Sequence, residues 1–203
     1  MISVRHELLL VGVFVTLAQL AWAQQPNTVT IAEPAVMTLA SLYEHSDTVA
    51  IIKIVSGDTA NYGIAIYKGE VAKRFKGAEV GQTIYFGPYT GGRLGSEYVL
   101  FLRNVAQPIA PRTTSSFNYG TIHYAEVFNE GYSSMMTSYE CAFDGKTEAE
   151  KCDYGVRVCT DYITLPKSTP TFPPMTDEPP FGCRWVRKQA FVSLLENLSA
   201  PKK

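Results

Sequence analysis

The chain has 203 residues, of which 46% are hydrophobic, 12% aromatic and 18% charged. This composition predicts a folded domain and excludes wholesale disorder. The 18 basic and 19 acidic residues leave a net charge of -1, so no bulk charge attracts the chain to nucleic acid or to anionic lipid.

The first 23 residues have the pattern of a cleavable signal peptide. Arg5 and His6 precede an apolar run over 8–20, and Ala21-Trp22-Ala23 is a small-x-small cleavage site. A membrane anchor is the alternative, but a span needs roughly 20 apolar residues, and this run is shorter. We therefore expect a periplasmic or secreted protein, cleaved near Ala23, with no membrane span.

The four cysteines all lie in the C-terminal third of the chain: Cys141, Cys152, Cys159 and Cys183. In an oxidising compartment an even number of cysteines predicts disulfides, and the three possible pairings of two disulfides stay open. A zinc site is disfavoured, because structural zinc sites usually contain close C-x2-4-C pairs and the tightest spacing here is C-x6-C. No metal or other cofactor is expected.

Apolar periodicity divides the first half of the chain into one helix and several strands. Leu39, Leu42 and Tyr43 share a helical face and predict a helix over 38–45, with Thr38 as its N-cap. Alternating and β-branched runs predict strands over 48–56, 62–72, 82–86 and 97–103, with a basic connection over 73–81. Short strands separated by turn signals are typical of a small barrel or sandwich.

The second half of the chain is less regular. Further strands are predicted over 119–127, 132–143 and 154–165. Six prolines over 166–180 indicate a stiff connector, and an apolar stripe predicts a helix over 186–198 that packs on the barrel. The whole is expected to be mainly β, divided into a signal peptide (1–23), a lead-in (24–37), a barrel with a β extension (38–165), a connector (166–185) and a packing helix (186–198).

One block carries a family resemblance. It contains SDTVAIIKIVSG, a strand that ends in VAKRFKG, the run IYFGPYTGG and then GSEYVLFLR, all within 39–103. This block resembles the exported TIMP/netrin-like domains of bacteria, and the resemblance implies an OB-fold, a five-stranded and partly open barrel. Tissue inhibitors of metalloproteinases bind the protease zinc through an N-terminal Cys. Here the expected first residue is Gln24 and the first Cys is Cys141, so that mechanism does not transfer.

The glycine-dense loop 87–96 is the candidate binding surface. Its Tyr89, Thr90 and Arg93 are expected at one rim of the barrel, where connecting loops carry recognition in OB-folds. A phosphate cradle is disfavoured, because the loop lacks Gly-Lys-Ser/Thr and precedes a strand rather than a helix. The basic cluster at 73–76 is interpreted as a solvated turn that protects a strand edge.

The residues do not predict a reaction. His45 and Asp47 are interpreted as structural, since a cation suits a helix C-terminus, and His123 as a half-exposed strand residue. The sequence favours a non-enzymatic binding module for an unidentified protein or cell-surface partner, without nucleic acid. Two alternatives stay open: an extracellular protease inhibitor that acts without N-terminal chelation, and a hydrolase that uses His45, Asp47 and His123.

Overall fold

A computed structural model describes residues 35–58, 65–87, 92–104, 125–127, 134–173 and 182–201. The expected signal peptide, Tyr89, Thr90 and His123 lie outside these residues. Within them there are three helices, α1 (Leu39–His45), α2 (Glu148–Lys151) and α3 (Lys188–Ser199). The strands are β1 (Met37–Thr38), β2 (Thr48–Asp58), β3 (Ile66–Lys76), β4 (Thr83–Phe86), β5 (Glu97–Asn104), β6 (Ala125–Val127), β7 (Ser134–Glu140), β8 (Asp153–Cys159), β9 (Ile163–Thr164) and β10 (Cys183–Arg187). The predicted mainly β class, with a C-terminal helix and two disulfides, is confirmed.

Eight strands form one sheet in the order β10-β8-β7-β5-β2-β3-β4-β6, and β1 pairs with β9 in a separate two-stranded sheet. Strands β5, β2, β3 and β4 are antiparallel neighbours in Greek-key order, since the fourth strand along the chain returns beside the first. Strand β6 lies between β4 and β5, but it meets β4 through one residue pair, Phe86 and Ala125. The large sheet as a whole is therefore open, and only its β2 to β6 part curls towards a barrel.

Strands β2 and β5 serve two hydrophobic cores at once because their side chains alternate between two faces. Ile52, Ile54 and Leu100 point into the curled part of the sheet, together with Phe86 and Val71. The alternate residues of the same strands point outwards into a second core beneath α1 and α3: Val49, Ile51, Val99 and Phe101. Burial on both faces explains why β5 is a nearly continuous apolar run, as the sequence predicted.

The two longer helices cover the outer core. Thr38 caps α1, since its hydroxyl accepts a hydrogen bond from the backbone N–H of Ser41 at 3.1 Å, as predicted. Helix α3 buries Phe191 and Leu195 against the sheet. It begins at Lys188 rather than at 186, because residues 183–187 continue the sheet as β10. Among the described residues, no helix is both long and apolar enough to cross a bilayer.

The C-terminal extension, β7, β8 and β10, is cross-linked by two disulfides. Cys141 is bonded to Cys152 at the end of the β7–β8 hairpin, and Cys159 is bonded to Cys183 between β8 and β10. The second bond holds β10 beside β8, in register from one end to the other. For this reason part of the expected connector is a strand, whereas its residues 174–181 lie outside the described residues.

A small aromatic cluster fills the face of the extension that lies opposite the outer core. Phe143 and Trp185 enclose Gly155, and the ring of Phe172 meets that of Phe143 edge-on at 5.2 Å. The guanidinium of Arg187 lies over the ring of Phe143 at 4.6 Å and donates to Asp153 and to the carbonyls of Asp144 and Glu150. This cluster gives the hairpin a core of its own beside the disulfide.

Candidate functional site

The described part of the predicted binding loop is a tight turn over 93–96 that is attached to β2. The N–H of Ser96 donates to the carbonyl of Arg93 at 3.2 Å, and Gly95 has the positive φ of 80° that such a turn requires. The N–H of Gly95 donates to the carbonyl of Ile54 at 2.8 Å, and the N–H of Ile54 donates to Ser96 at 3.0 Å. These bonds fix the turn to the sheet through its backbone.

Two buried tyrosines, Tyr67 and Tyr98, contact the turn from the inner core of the sheet. The N–H of Arg93 donates to the hydroxyl oxygen of Tyr98 at 3.0 Å, and Gly92 lies so close to the ring of Tyr67 that a Cβ on it would come within 2.6 Å. Burial raises the pKa of Tyr98, although the hydrogen bond from Arg93 and the charge of its guanidinium oppose this effect. Tyr98 is therefore a neutral and fixed support for the turn.

The side chains at the tip of the turn point into solvent. Leu94 is 64% exposed and Arg93 is also exposed, and neither makes a side-chain contact with the described residues in a hydrogen bond or ion pair. Val55 is exposed on β2, next to the residue that bonds the turn. An aliphatic tip beside a guanidinium on a rigid backbone can contact a partner without paying the entropy of ordering a loop.

A second exposed group lies on the same outer face of the sheet. Tyr139 on β7 and Tyr154 on β8 are direct cross-strand partners, with ring centroids 5.4 Å apart and planes at 74°. Both are more than half exposed, at 59% and 56%. They lie at the rim of the outer core, since Val156, two residues along β8 from Tyr154, is fully buried there.

Lys188 connects this tyrosine pair to the strands that bear the turn. Its ammonium forms a 2.7 Å ion pair with Glu97 on β5 and lies 5.7 Å from the ring centre of Tyr154. Glu97 pairs in register with Lys53 on β2. We call the residues Lys53, Val55, Arg93, Leu94, Glu97, Tyr139, Tyr154 and Lys188 the outer strip. Sequence reasoning missed its Tyr139–Tyr154 half, because no pattern reveals which of twelve tyrosines stay exposed.

His45 and Asp47 make separate hydrogen bonds. His45 Nδ1 bonds the carbonyl of Ser41 at 2.8 Å, one turn back along α1, which agrees with a role at the helix end. Asp47 accepts a bond from the N–H of Asn104 at 2.8 Å and thereby joins the start of β2 to the end of β5. His123 lies outside the described residues. The other two residues of the hydrolase alternative, His45 and Asp47, bond to backbone groups and not to each other.

The basic cluster at 73–76 belongs to β3, which continues to Lys76 instead of ending at 72. Lys76 donates to the carbonyls of Tyr43 and Glu44 at the C-terminus of α1, and Lys73 forms a 2.7 Å ion pair with Glu196 on α3. Their ammonium groups thus join the two covering helices to β3. The interpretation of this segment as a turn was wrong. The chain continues as a strand here, and its outward side chains Lys73 and Lys76 contact α3 and α1.

Among the described residues, no group of three or more His, Cys, Asp or Glu side chains could hold a metal ion. All four cysteines are disulfide-bonded, as Cys141–Cys152 and Cys159–Cys183, which is one of the three pairings that the sequence left open. No protein-family model, curated protein or solved structure matches the chain.

Proposed function

We propose that this chain is an exported, non-enzymatic binding module of OB-fold, TIMP/netrin-like type that contacts a protein partner through the 93–96 turn. The observation that carries the proposal is the exposed Leu94 and Arg93 on a backbone fixed to β2. The Greek-key order of β2 to β5, with β6 beside both β4 and β5, supports the OB-like assignment. His45 and Asp47, engaged in helix and strand contacts, support a role without catalysis.

Export is supported by two independent features. Two disulfides are typical of proteins that fold in an oxidising compartment, and the first 23 residues have the pattern of a signal peptide. We expect N-terminal sequencing of the protein from its native host to begin at Gln24, or to be blocked by cyclisation of that residue. A mature protein that retains the apolar run 8–20 would contradict export by cleavage.

The binding role is tested by affinity capture with the purified mature chain. Bait proteins are the wild type, Arg93→Glu, Leu94→Ser and the control Val80→Ser, which alters a side chain of similar exposure (65%) in the turn that precedes β4. We expect both variants of the 93–96 turn to lose a protein partner that Val80→Ser keeps, with unchanged thermal unfolding. Equal capture by all four baits would overturn the assignment of the turn.

If the captured partner is a protease, the next experiment measures whether the chain inhibits it. The protease alternative then predicts that wild-type protein lowers the activity of that protease and that Arg93→Glu does not. Full protease activity in the presence of the bound wild type leaves the chain as a binding module alone.

A further inference from the structure

The outer strip is a continuous surface rather than two separate features. Its strand residues lie on β2, β5, β7 and β8, which are consecutive neighbours in the sheet, while Arg93 and Leu94 lie in the 93–96 turn and Lys188 begins α3. Lys53 is the register partner of Glu97, Glu97 is bonded to Lys188, and Lys188 lies beside Tyr154. Three strand spacings of about 4.8 Å cover about 14 Å across the sheet.

The composition of the strip is that of a protein interface. Tyrosine and arginine are enriched at such interfaces, and exposed tyrosines on a rigid sheet lose little side-chain entropy on binding. Tyr139 and Tyr154 hold each other edge to face, and strand pairing fixes their backbones. Leu94 and Val55 add aliphatic surface at the opposite end.

The charges of the strip do not balance. Glu97 is neutralised by Lys188 at 2.7 Å, whereas Lys53 and Arg93 are exposed and form no ion pair with any residue that the structure describes. Glu70 on β3, the other register partner of Lys53, is exposed at the margin of the strip and offsets part of this charge. The strip therefore presents two cations that form no ion pair within the described part of the chain, and a complementary partner would meet them with carboxylates.

We propose that the outer strip as a whole is the binding surface, and that it takes a protein with an acidic face whose carboxylates lie opposite Lys53 and Arg93 and whose apolar side chains cover Tyr139 and Tyr154. This inference rests on the proposed function, since it extends the contact of the 93–96 turn. Lys188 and Glu97 act as positioning residues, because their ion pair holds the ammonium beside the ring of Tyr154.

The extent of the surface is tested by photo-crosslinking in the full mature chain. A benzoylphenylalanine is placed at position 94, 139 or, as a control, 80, and each protein is irradiated in extracytoplasmic extract of the native host. We expect the same protein to crosslink at 94 and 139 but not at 80. A protein that crosslinks at 94 and not at 139 overturns the extended surface and leaves the proposed function standing. No crosslink at 94 overturns the proposed function itself.

The chemistry of the partner is tested with that crosslinked protein after purification. We expect Lys53→Glu and Arg93→Glu each to lower its association rate constant at least threefold and to flatten the dependence of that constant on salt between 50 and 300 mM, on the order of the effects known for rim charges. Lys167→Glu, an exposed cation outside the strip, is the control and should leave both unchanged. Faster association of the two strip variants would show a basic partner and overturn the proposal.

The tyrosines are tested through the dissociation rate. Tyr139→Ser and Tyr154→Ser should each raise it about tenfold, as expected when tyrosines that anchor an interface are truncated. Tyr139→Phe should stay close to wild type, because it keeps the ring. Unchanged dissociation of both serine variants, or crosslinking to a polysaccharide or lipid in place of a protein, would overturn the assignment of the tyrosine pair.

Discussion

The backbone N–H of Arg93 donates a hydrogen bond to the hydroxyl oxygen of Tyr98 at 3.0 Å, so a residue of the core inside the curled part of the sheet supports the candidate binding turn. Tyr98 is only 3% exposed and packs with Ile52 and Leu100. The turn is consequently coupled to the inner core and to β2 at the same time. Changes at Tyr98 should therefore affect both stability and binding.

We expect Tyr98→Phe to lower the free energy of unfolding by about 1 kcal/mol at neutral pH, because the N–H of Arg93 loses its acceptor while the ring is kept. Urea denaturation followed by circular dichroism measures the change. A variant as stable as the wild type would show that the hydroxyl contributes nothing to the turn.

The same variant should change the dependence of stability on alkaline pH. Burial raises the pKa of Tyr98 in the folded chain, so above about pH 10 an unfolded tyrosine loses its proton before the folded one does. The stability contributed by the neutral phenol is present below that pH and is lost as the pH rises through the folded pKa. We expect Tyr98→Phe to lose less stability than wild type between pH 9 and 11. Tyr43→Phe is the comparison, because burial raises the pKa of Tyr43 as well.

Gly155→Ala should destabilise the C-terminal extension. A Cβ at this position would lie 2.8 Å from Phe143 Cζ and 2.9 Å from Trp185 Cε3, and both rings are buried. Overpacking of this kind typically costs about 1–3 kcal/mol. Thermal unfolding monitored by Trp fluorescence measures the loss. Gly81→Ala is a poor control because its φ is 81°, so Ala149→Gly, an exposed site in α2, is used for comparison.

Gly77→Ala should also destabilise the chain, but for a backbone reason. Gly77 has a φ of 68°, and an added Cβ would collide with the carbonyl oxygen of Asp47, which belongs to the main chain and has no rotamer to change. We expect a loss of at least about 1–3 kcal/mol, measured by urea denaturation. A stability equal to that of wild type would mean that the turn after β3 can change its conformation freely.

The two disulfides should differ in their contributions. Cys141–Cys152 closes a sequence separation of 11 residues and Cys159–Cys183 one of 24, so loop entropy predicts about 3 and about 3.5 kcal/mol respectively. Cys159→Ala with Cys183→Ala should be the more harmful pair of changes, since that bond also holds β10 beside β8. Cys141→Ala with Cys152→Ala leaves the contacts of Arg187 in place. A larger loss for this second pair, measured by thermal unfolding, would contradict the ranking.

The sequence by itself determined the secondary structure of the better patterned half. Thr38 as N-cap, the β-branched strand that is β2 and the apolar run of β5 were predicted correctly, because periodicity and capping are local properties of the chain. It also determined that the cysteines form disulfides. The pairing of Cys159 with Cys183 depends on β8 and β10 lying side by side, which is a long-range contact with no local signal.

The tertiary structure alone decided what the outer faces of the strands do. The side chains of Lys73 and Lys76 were expected in solvent, but α1 and α3 pack close enough to bind them. Tyr154 and Val156 lie on the same face of β8. Tyr154 is exposed and Val156 is buried, because the helices cover only part of the sheet. Length, composition and a net charge of -1 described the average surface of the chain. Only the packing of the helices decided which tyrosines and cations remain exposed together.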